Sequence, residues 1–472
     1  MRRYAVPHWA HRQSPPSGRH EAAANTLIRH IISPDVFAAI AQGEGGTVAG
    51  QQLIAVQRSK HMLILRHLVG ISESIGHPRA ADIRDGYQTL AKIHRVAPQA
   101  AERVFRYPAV GAWAIQTARQ LNNGEASLAN PERLSVVAAA AAIHAKFPYR
   151  TTTNVVGCGV VIPSLGRALF NENLNGRVAV INVTTLGAEV VVARSRVALP
   201  DEPLNNRERW QGIRPLKATA SGLKLQLLLD DIDPHRFEAV HNPSARLAAS
   251  DVMRWNAMFQ QAWRLLVQRH RRVADEVRSM LVTLTPLDTP LTSQGRSATS
   301  RDNFGCVALS QPPESLTFAV TLAHEIQHSK LTALLDLVEF VRPTADAVYY
   351  APWRNDPRPA QALLHGAYAY LGVAAFWRLQ RHPYRADLIP HREYVRWRQA
   401  VGDTIEVLLT SNDLTDLGRR FVEGMRHTLR SWQMDRVPPA AEDLARTAAD
   451  SHRARWHSTH GHHEGSKSQS NR

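Results

Sequence analysis

The sequence predicts an α+β protein that is mainly α-helical. It should have a helical N-terminal layer, a small central sheet, and a C-terminal helical bundle carrying a His-Glu-x-x-His helix. Three observations lead there. Helix-type apolar spacing fills residues 29–149 and 311–437, β-branched runs concentrate in 150–235, and Pro, Gly or Ser breaks separate these stretches. At 472 residues the chain can bury two or three sizeable cores. Its 44% hydrophobic and 21% charged content is ordinary for a soluble globular protein.

The elements follow in chain order. Residues 1–28 are polar, with Ser-Pro-Pro-Ser-Gly at 14–18, and read as a flexible lead-in. Ser33-Pro34-Asp35 then sets an N-cap followed by proline at the first helical position. Helical runs at 50–68, 82–96, 98–105, 110–121 and 131–145 complete a helical N-terminal region, 29–149. Strand-like runs at 154–162, 177–193 and 223–229 indicate a small sheet, and a long helix should cover 251–284, within a region spanning 150–310. A short strand at 303–310 precedes helices at 314–339, 359–381, 391–409 and 415–434, which form the metal-binding region 311–437. From 438 to 472 the chain turns polar and His-rich (His457, His460, His462, His463), which reads as a disordered tail. There is no internal repeat.

Composition excludes several function classes. The two cysteines, Cys158 and Cys306, are far apart, so there is no disulfide framework or CxxC metal site, and both read as small buried apolar residues. The formal net charge of +16 comes from arginines spread along the chain rather than gathered in a stripe. That argues against specific nucleic-acid recognition. No apolar run approaches the roughly 20 residues of a membrane span, and no signal-peptide core is visible, so the expected location is the cytoplasm.

The chemistry-bearing motif is His324-Glu325-Ile326-Gln327-His328. Residues four apart share one helix face, so both imidazoles can point at one ion, with Glu325 beside them as the candidate catalytic carboxylate. A catalytic metal needs a third protein ligand and an open position. The residue six after His328 is Leu334, so the metzincin pattern is absent. Asp336 and Glu339 lie about 12 Å or more along the same helix and reach the ion only if it breaks. His365, early in the next helix and followed by Gly366, is the preferred third ligand, with Glu339 the runner-up. Between these helices, residues 349–359 hold three prolines, aromatics, and Arg354 and Arg358. These two arginines are candidates to bind the carboxylates of an acidic cosubstrate; equally, the loop reads as a rigid connector with arginine paired to Asp356.

The run Leu322-Ala323-His324-Glu325-Ile326-Gln327-His328-Ser329-Lys330 resembles an HExxH-motif family of ribosomal-peptide maturation enzymes. So do Leu229-Asp230-Asp231-Ile232-Asp233-Pro234, Phe304-Gly305-Cys306, Pro352-Trp353-Arg354 and Gly366-Ala367-Tyr368-Ala369-Tyr370. The similarity spans about 33 to 435. It implies Fe(II)- and 2-oxoglutarate-dependent β-hydroxylation of a precursor peptide, with His324 and His328 as iron ligands and an arginine on the 2-oxoglutarate carboxylate. It also admits a radical SAM maturase as a partner. The usual non-haem oxygenase triad is two His and one carboxylate, so His365 as third ligand departs from it, and Glu325 or Glu339 would restore it. No CxxxCxxC cluster is present, which implies a standalone member of the family. Two other readings stay open: an HExxH zinc metallopeptidase with Glu325 as general base, and a non-catalytic peptide-binding scaffold of a biosynthetic complex.

Overall fold

Ser33 caps the first helix as the sequence predicts. Its Oγ accepts a hydrogen bond from the Val36 N–H (3.3 Å) at the head of α1 (Pro34–Ala41). The structure is a computed structural model that describes residues 30–237, 244–288, 295–381 and 387–460. The flexible segment expected at 1–28 lies outside these residues. From Ile32 onward the described residues pack as one unit. No helix among them is long and apolar enough to cross a membrane.

The helical layer continues through α2 (Gly46–Ser74), α3 (Ala80–Val96), α4 (Pro98–Phe105), α5 (Pro108–Asn122) and α6 (Arg133–Ala145). Proline opens both α4 and α5, where its missing N–H leaves no hydrogen bond unmade. Short alanine side chains on α6 let α3 and α4 approach closely, and Val136 to Ala142 are all buried in one core.

The β-rich region forms three sheets rather than the one expected. Strands β1 (Tyr149–Asn154), β2 (Gly159–Ile162), β3 (Gly166–Leu169), β4 (Val178–Val183), β5 (Ala188–Val192), β6 (Ser195–Ala198) and β7 (Trp210–Gly212) make two antiparallel sheets. Their orders are β1-β4-β5-β6 and β2-β3-β7. Strands β8 (Arg214–Ala220) and β9 (Leu223–Leu229) leave these for a third. The helix expected over 251–284 is two helices, α7 (Ala249–Arg269) and α8 (Arg271–Met280), broken at His270, whose ring stacks on Phe376 at 3.9 Å. Residues after the break extend into β10 (Thr283–Pro286), followed by β11 (Ser297–Ala298) and β12 (Cys306–Leu309). The third sheet runs β11-β12-β10-β9-β8, with β10 parallel to both β9 and β12. A parallel pair needs a helical crossover, and α7 and α8 supply it between β9 and β10.

The Leu229–Pro234 motif ties this sheet to the helical layer. Buried Asp230 accepts a hydrogen bond from the Tyr107 hydroxyl (2.5 Å), Asp231 pairs with Arg246, and Asp233 pairs with Arg133 (2.8 Å). Burial and the neighbouring Asp233 charge push the Asp230 carboxyl up. Of the cysteines, Cys306 is buried as expected but Cys158 is exposed, at the end of the turn that leads into β2.

The C-terminal bundle comprises α9 (Ser315–Leu335), the short pair β13 (Val348–Tyr349) and β14 (Arg358–Pro359), α10 (Ala360–Gln380), α11 (Leu388–Thr410) and α12 (Asp416–Ser431). The tail expected to be disordered from 438 is instead helical as α13 (Pro439–His460). Ala441 and Ala445 on α13 are buried, and Tyr350 bonds His452 Nδ1 through its hydroxyl (2.7 Å). His457 and His460 sit on this helix; His462 and His463 lie outside the described residues. The helix that carries the HExxH motif is pinned by Lys330. This fully buried ammonium donates to Glu276 (2.8 Å) on α8 and to the Gly43 and Glu44 carbonyls (3.2 and 3.1 Å) before α2.

Breaking a buried ion pair from one side strands a charge. Lys330→Met should therefore cost about 3–5 kcal/mol of unfolding free energy in urea. Lys330→Met with Glu276→Leu should recover a large part of that loss. A single variant within about 1 kcal/mol of the parent would show that the pair does not anchor α9.

Candidate metal centre

On α9 the apolar side chains of Phe318, Leu322, Ile326 and Leu331 go into the core, which leaves His324 and His328 on the adjoining face. Their Nε2 atoms lie 3.1 Å apart. Two donors each about 2.0–2.1 Å from a shared ion sit about 3 Å from each other, so this spacing suits a single divalent cation. The crossing with α10 is close because Gly372 has no side chain: a Cβ there would fall 2.6 Å from Gln327 Cγ and 3.0 Å from the Ala323 carbonyl oxygen.

That crossing puts His365, about two turns before Gly372 on nearly the same face of α10, beside the pair. Its ring is 27° from parallel to that of His328, with centroids 5.9 Å apart. The structure therefore brings all three predicted histidines into one cluster. Among the described residues, however, no group of three or more His, Cys, Asp or Glu side chains is arranged so that it could hold a metal ion.

An edge of each ring reaches solvent, yet the protein excludes most water around them. Burial pushes His324 and His365 down to about 4, with the Arg301 charge also disfavouring protonated His365. His328 is lowered further, by burial and then by its two imidazole neighbours. Neutral imidazoles are the form that binds metal, so the site is held ready without competition from protons near neutrality.

Glu325 lies one position round α9 from His324, with its carboxylate beside the histidine pair. Its Oε1 accepts a hydrogen bond from Ser297 Oγ (2.8 Å) on β11 and lies 4.0 Å from His324 Nε2, while Oε2 is buried without a partner among the described residues. Burial pushes this carboxyl up to about 7, against the hydrogen bonds from Ser297 and Thr299.

The alternatives for the third ligand are placed elsewhere. The helix predicted to reach 339 ends at Leu335, so Glu339 lies beyond the break, exposed, with its backbone carbonyl bonded by Thr415 Oγ1 (2.7 Å). Asp336 is engaged by Lys60, Gln57 and Arg301 (2.7, 2.8 and 2.8 Å); burial pushes its carboxyl up, but the Lys60 charge and the hydrogen bonds from all three hold it below the usual range.

Arg354 and Arg358 lie on the connection that precedes α10. A Cβ at Gly366 would fall 2.4 Å from the Trp353 indole, which fixes the loop on α10. Both guanidiniums bind Asp356, one per carboxylate oxygen at 2.9 Å. Their hydrogen bonds hold that carboxyl down at about 2.

Sequence reasoning missed the wall beside His324. Tyr370 meets the His324 ring edge-on at 5.0 Å and is stacked between Trp353 (5.0 Å) and Trp397 (4.1 Å). Arg396 lies over Trp397 at 4.4 Å and has no ion pair among the described residues. The Gly366–Tyr370 stretch held a signal for Tyr370, one turn and a residue beyond His365; nothing local marked Ser297, Trp397 or Arg396.

No protein-family model matches this chain, and no curated protein is similar to it.

Equal metal loss identifies equal ligands. After loading with Fe(II) under argon and desalting, His365→Ala should bind less than about a tenth of the parent's iron, as should His328→Ala, while Glu339→Ala stays near parent occupancy. Full occupancy in His365→Ala together with loss in Glu339→Ala would reassign the third ligand.

Proposed function

We propose that this protein is a cytoplasmic Fe(II)- and 2-oxoglutarate-dependent peptide β-hydroxylase that acts on a ribosomally made precursor peptide. The observation that carries this reading is the cluster of three neutral imidazoles, with His324 and His328 Nε2 3.1 Å apart, bordered by an aromatic wall and a loop holding two guanidiniums. His324, His328 and His365 would hold the iron. When bound, iron and 2-oxoglutarate supply O₂-driven insertion of oxygen into an unactivated C–H bond.

The chain's own residues do the rest. Arg354 and Arg358 are the groups assigned to the cosubstrate carboxylates. Asp356 keeps both side chains oriented, and each guanidinium retains N–H donors that Asp356 does not use. Tyr370, Trp353 and Trp397 give the site an apolar flank that excludes water and orients a peptide side chain. The precursor peptide would arrive from a biosynthetic complex in which a radical SAM maturase is a compatible partner.

A second reading, zinc peptidase, draws on Glu325. Its unpartnered buried Oε2 suits a general base. Against it, the other carboxylate oxygen is held by a hydrogen bond from Ser297 Oγ (2.8 Å).

The readings separate in one assay. Protein loaded with Fe(II) anaerobically should convert 2-oxoglutarate to succinate once O₂ is admitted, and Arg354→Ala with Arg358→Ala should raise the KM for 2-oxoglutarate by about tenfold or more. Absence of succinate with iron, together with peptide cleavage by the zinc-loaded protein, would establish the peptidase instead.

A further inference from the structure

A cleft of about 960 Å³ opens where α4 faces the third sheet, and it shares no residue with the histidine cluster. It forms because only one face of β8–β9 is covered. Leu216, Ala218, Leu225 and Leu227 are buried on the covered face, while Lys217 and Gln226 project from the other side. Helix α4 supplies the opposite wall with Gln99, Arg103 and Arg106, and Arg278 of α8 stands at one end.

Its charge is one-sided. Five cations line the cleft (Arg58, Arg103, Arg106, Lys217 and Arg278) against two carboxylates, Glu102 and Glu202. Glu102 is taken by Arg58 (3.2 Å). Arg103, Lys217 and Arg278 are exposed and have no ion-pair partner among the described residues. Elsewhere on this protein arginines commonly find acids at close range, as in the Asp336, Asp356 and Asp435 clusters. Like charges gathered in one concave surface raise the local potential and draw anions to it.

We infer that this cleft binds an acidic stretch of extended polypeptide. The three unpaired cations, Arg103, Lys217 and Arg278, sit on three separate elements rather than on one, which suits carboxylates spaced along a chain better than one phosphate. Glu202 on the rim would repel a compact polyanion. Apolar patches at Pro98, Leu204, Pro215 and Leu228 alternate with the charges, and the primary amides of Gln99, Asn205 and Gln226 offer both donors and acceptors to a peptide backbone. The segment would lie across the sheet face rather than lengthen the sheet, because the Lys217 N–H at the β8 edge already donates to Asn256 Oδ1 (3.2 Å). Helix α2 separates this cleft from the histidine cluster: Arg58 lines the cleft, while Gln57 and Lys60 bond Asp336 at the end of α9. The inference stands whether or not the metal reading does.

The test uses fluorescence anisotropy on the full chain. The probe is a fluorescein-labelled peptide in which Glu alternates with Leu and Ser, and its control has Gln at every Glu. The Glu peptide should bind, weaken as NaCl rises, and bind about tenfold or more worse to the R103E/K217E/R278E variant. A variant with the same change in net charge placed elsewhere, R194E/R420E/R430E, should bind it within about twofold of the parent. ATP should not displace it. No binding of the Glu peptide, equal binding of the Gln peptide, equal loss in both triple variants, or displacement by ATP would each overturn the inference.

Discussion

The crossing of α9 and α10 is the constraint on which the candidate site depends. A glycine at 372 lets the two helices touch, and the ammonium of Lys330 locks α9 against α8 and the chain entering α2. Helical periodicity then turns two histidines of α9 and one of α10 toward the same space. A larger residue at 372 would press on Gln327 and the Ala323 carbonyl, in the very turn that carries His324. Burial of the core face of α9 and exposure of its histidine edge are two sides of one packing arrangement.

Electrostatics works through the same burial. The three imidazoles are all pushed toward their neutral form, while Glu325, whose Oε1 lies 4.0 Å from His324 Nε2, is pushed toward its protonated form. Arg301, the cation that acts on His365, is engaged by Asp336, and Arg354 and Arg358 are engaged by Asp356. Arg396, beyond the aromatic wall, is the exception among the described residues. The three imidazoles are thus neutral, and Asp356 orients both guanidiniums of the loop before α10.

Much of this was legible in the residues. The mainly helical α+β class followed from apolar spacing, Ser33 and Pro34 start α1 as their chemistry requires, and the i, i+4 histidines needed only a helix to come together. His365 could be reached because consecutive helices commonly pack together, and α10 does pack on α9 although residues 336–359 and the β13–β14 pair separate them. The division of the β region into three sheets was not legible, since local runs of valine and leucine do not reveal which strand pairs with which. The break at His270 has no proline or glycine to announce it; stacking on Phe376 favours it. Helix α13 escaped notice because its polar sequence contributes only Ala441 and Ala445 to the interior, and long-range contacts such as Tyr350 to His452 hold it. Ser297, Trp397 and Arg396 reach the site from distant parts of the chain, so no spacing rule could have found them.

The central claim is that α9 and α10 together form one metal centre. Crystals of the iron-loaded protein, measured on both sides of the iron absorption edge, test it directly. The account predicts a single strong anomalous peak bonded to Nε2 of His324 and His328 and to the His365 imidazole. A peak on the histidines of α13 with none at the crossing, or a peak at the crossing that His365 does not touch, would contradict it.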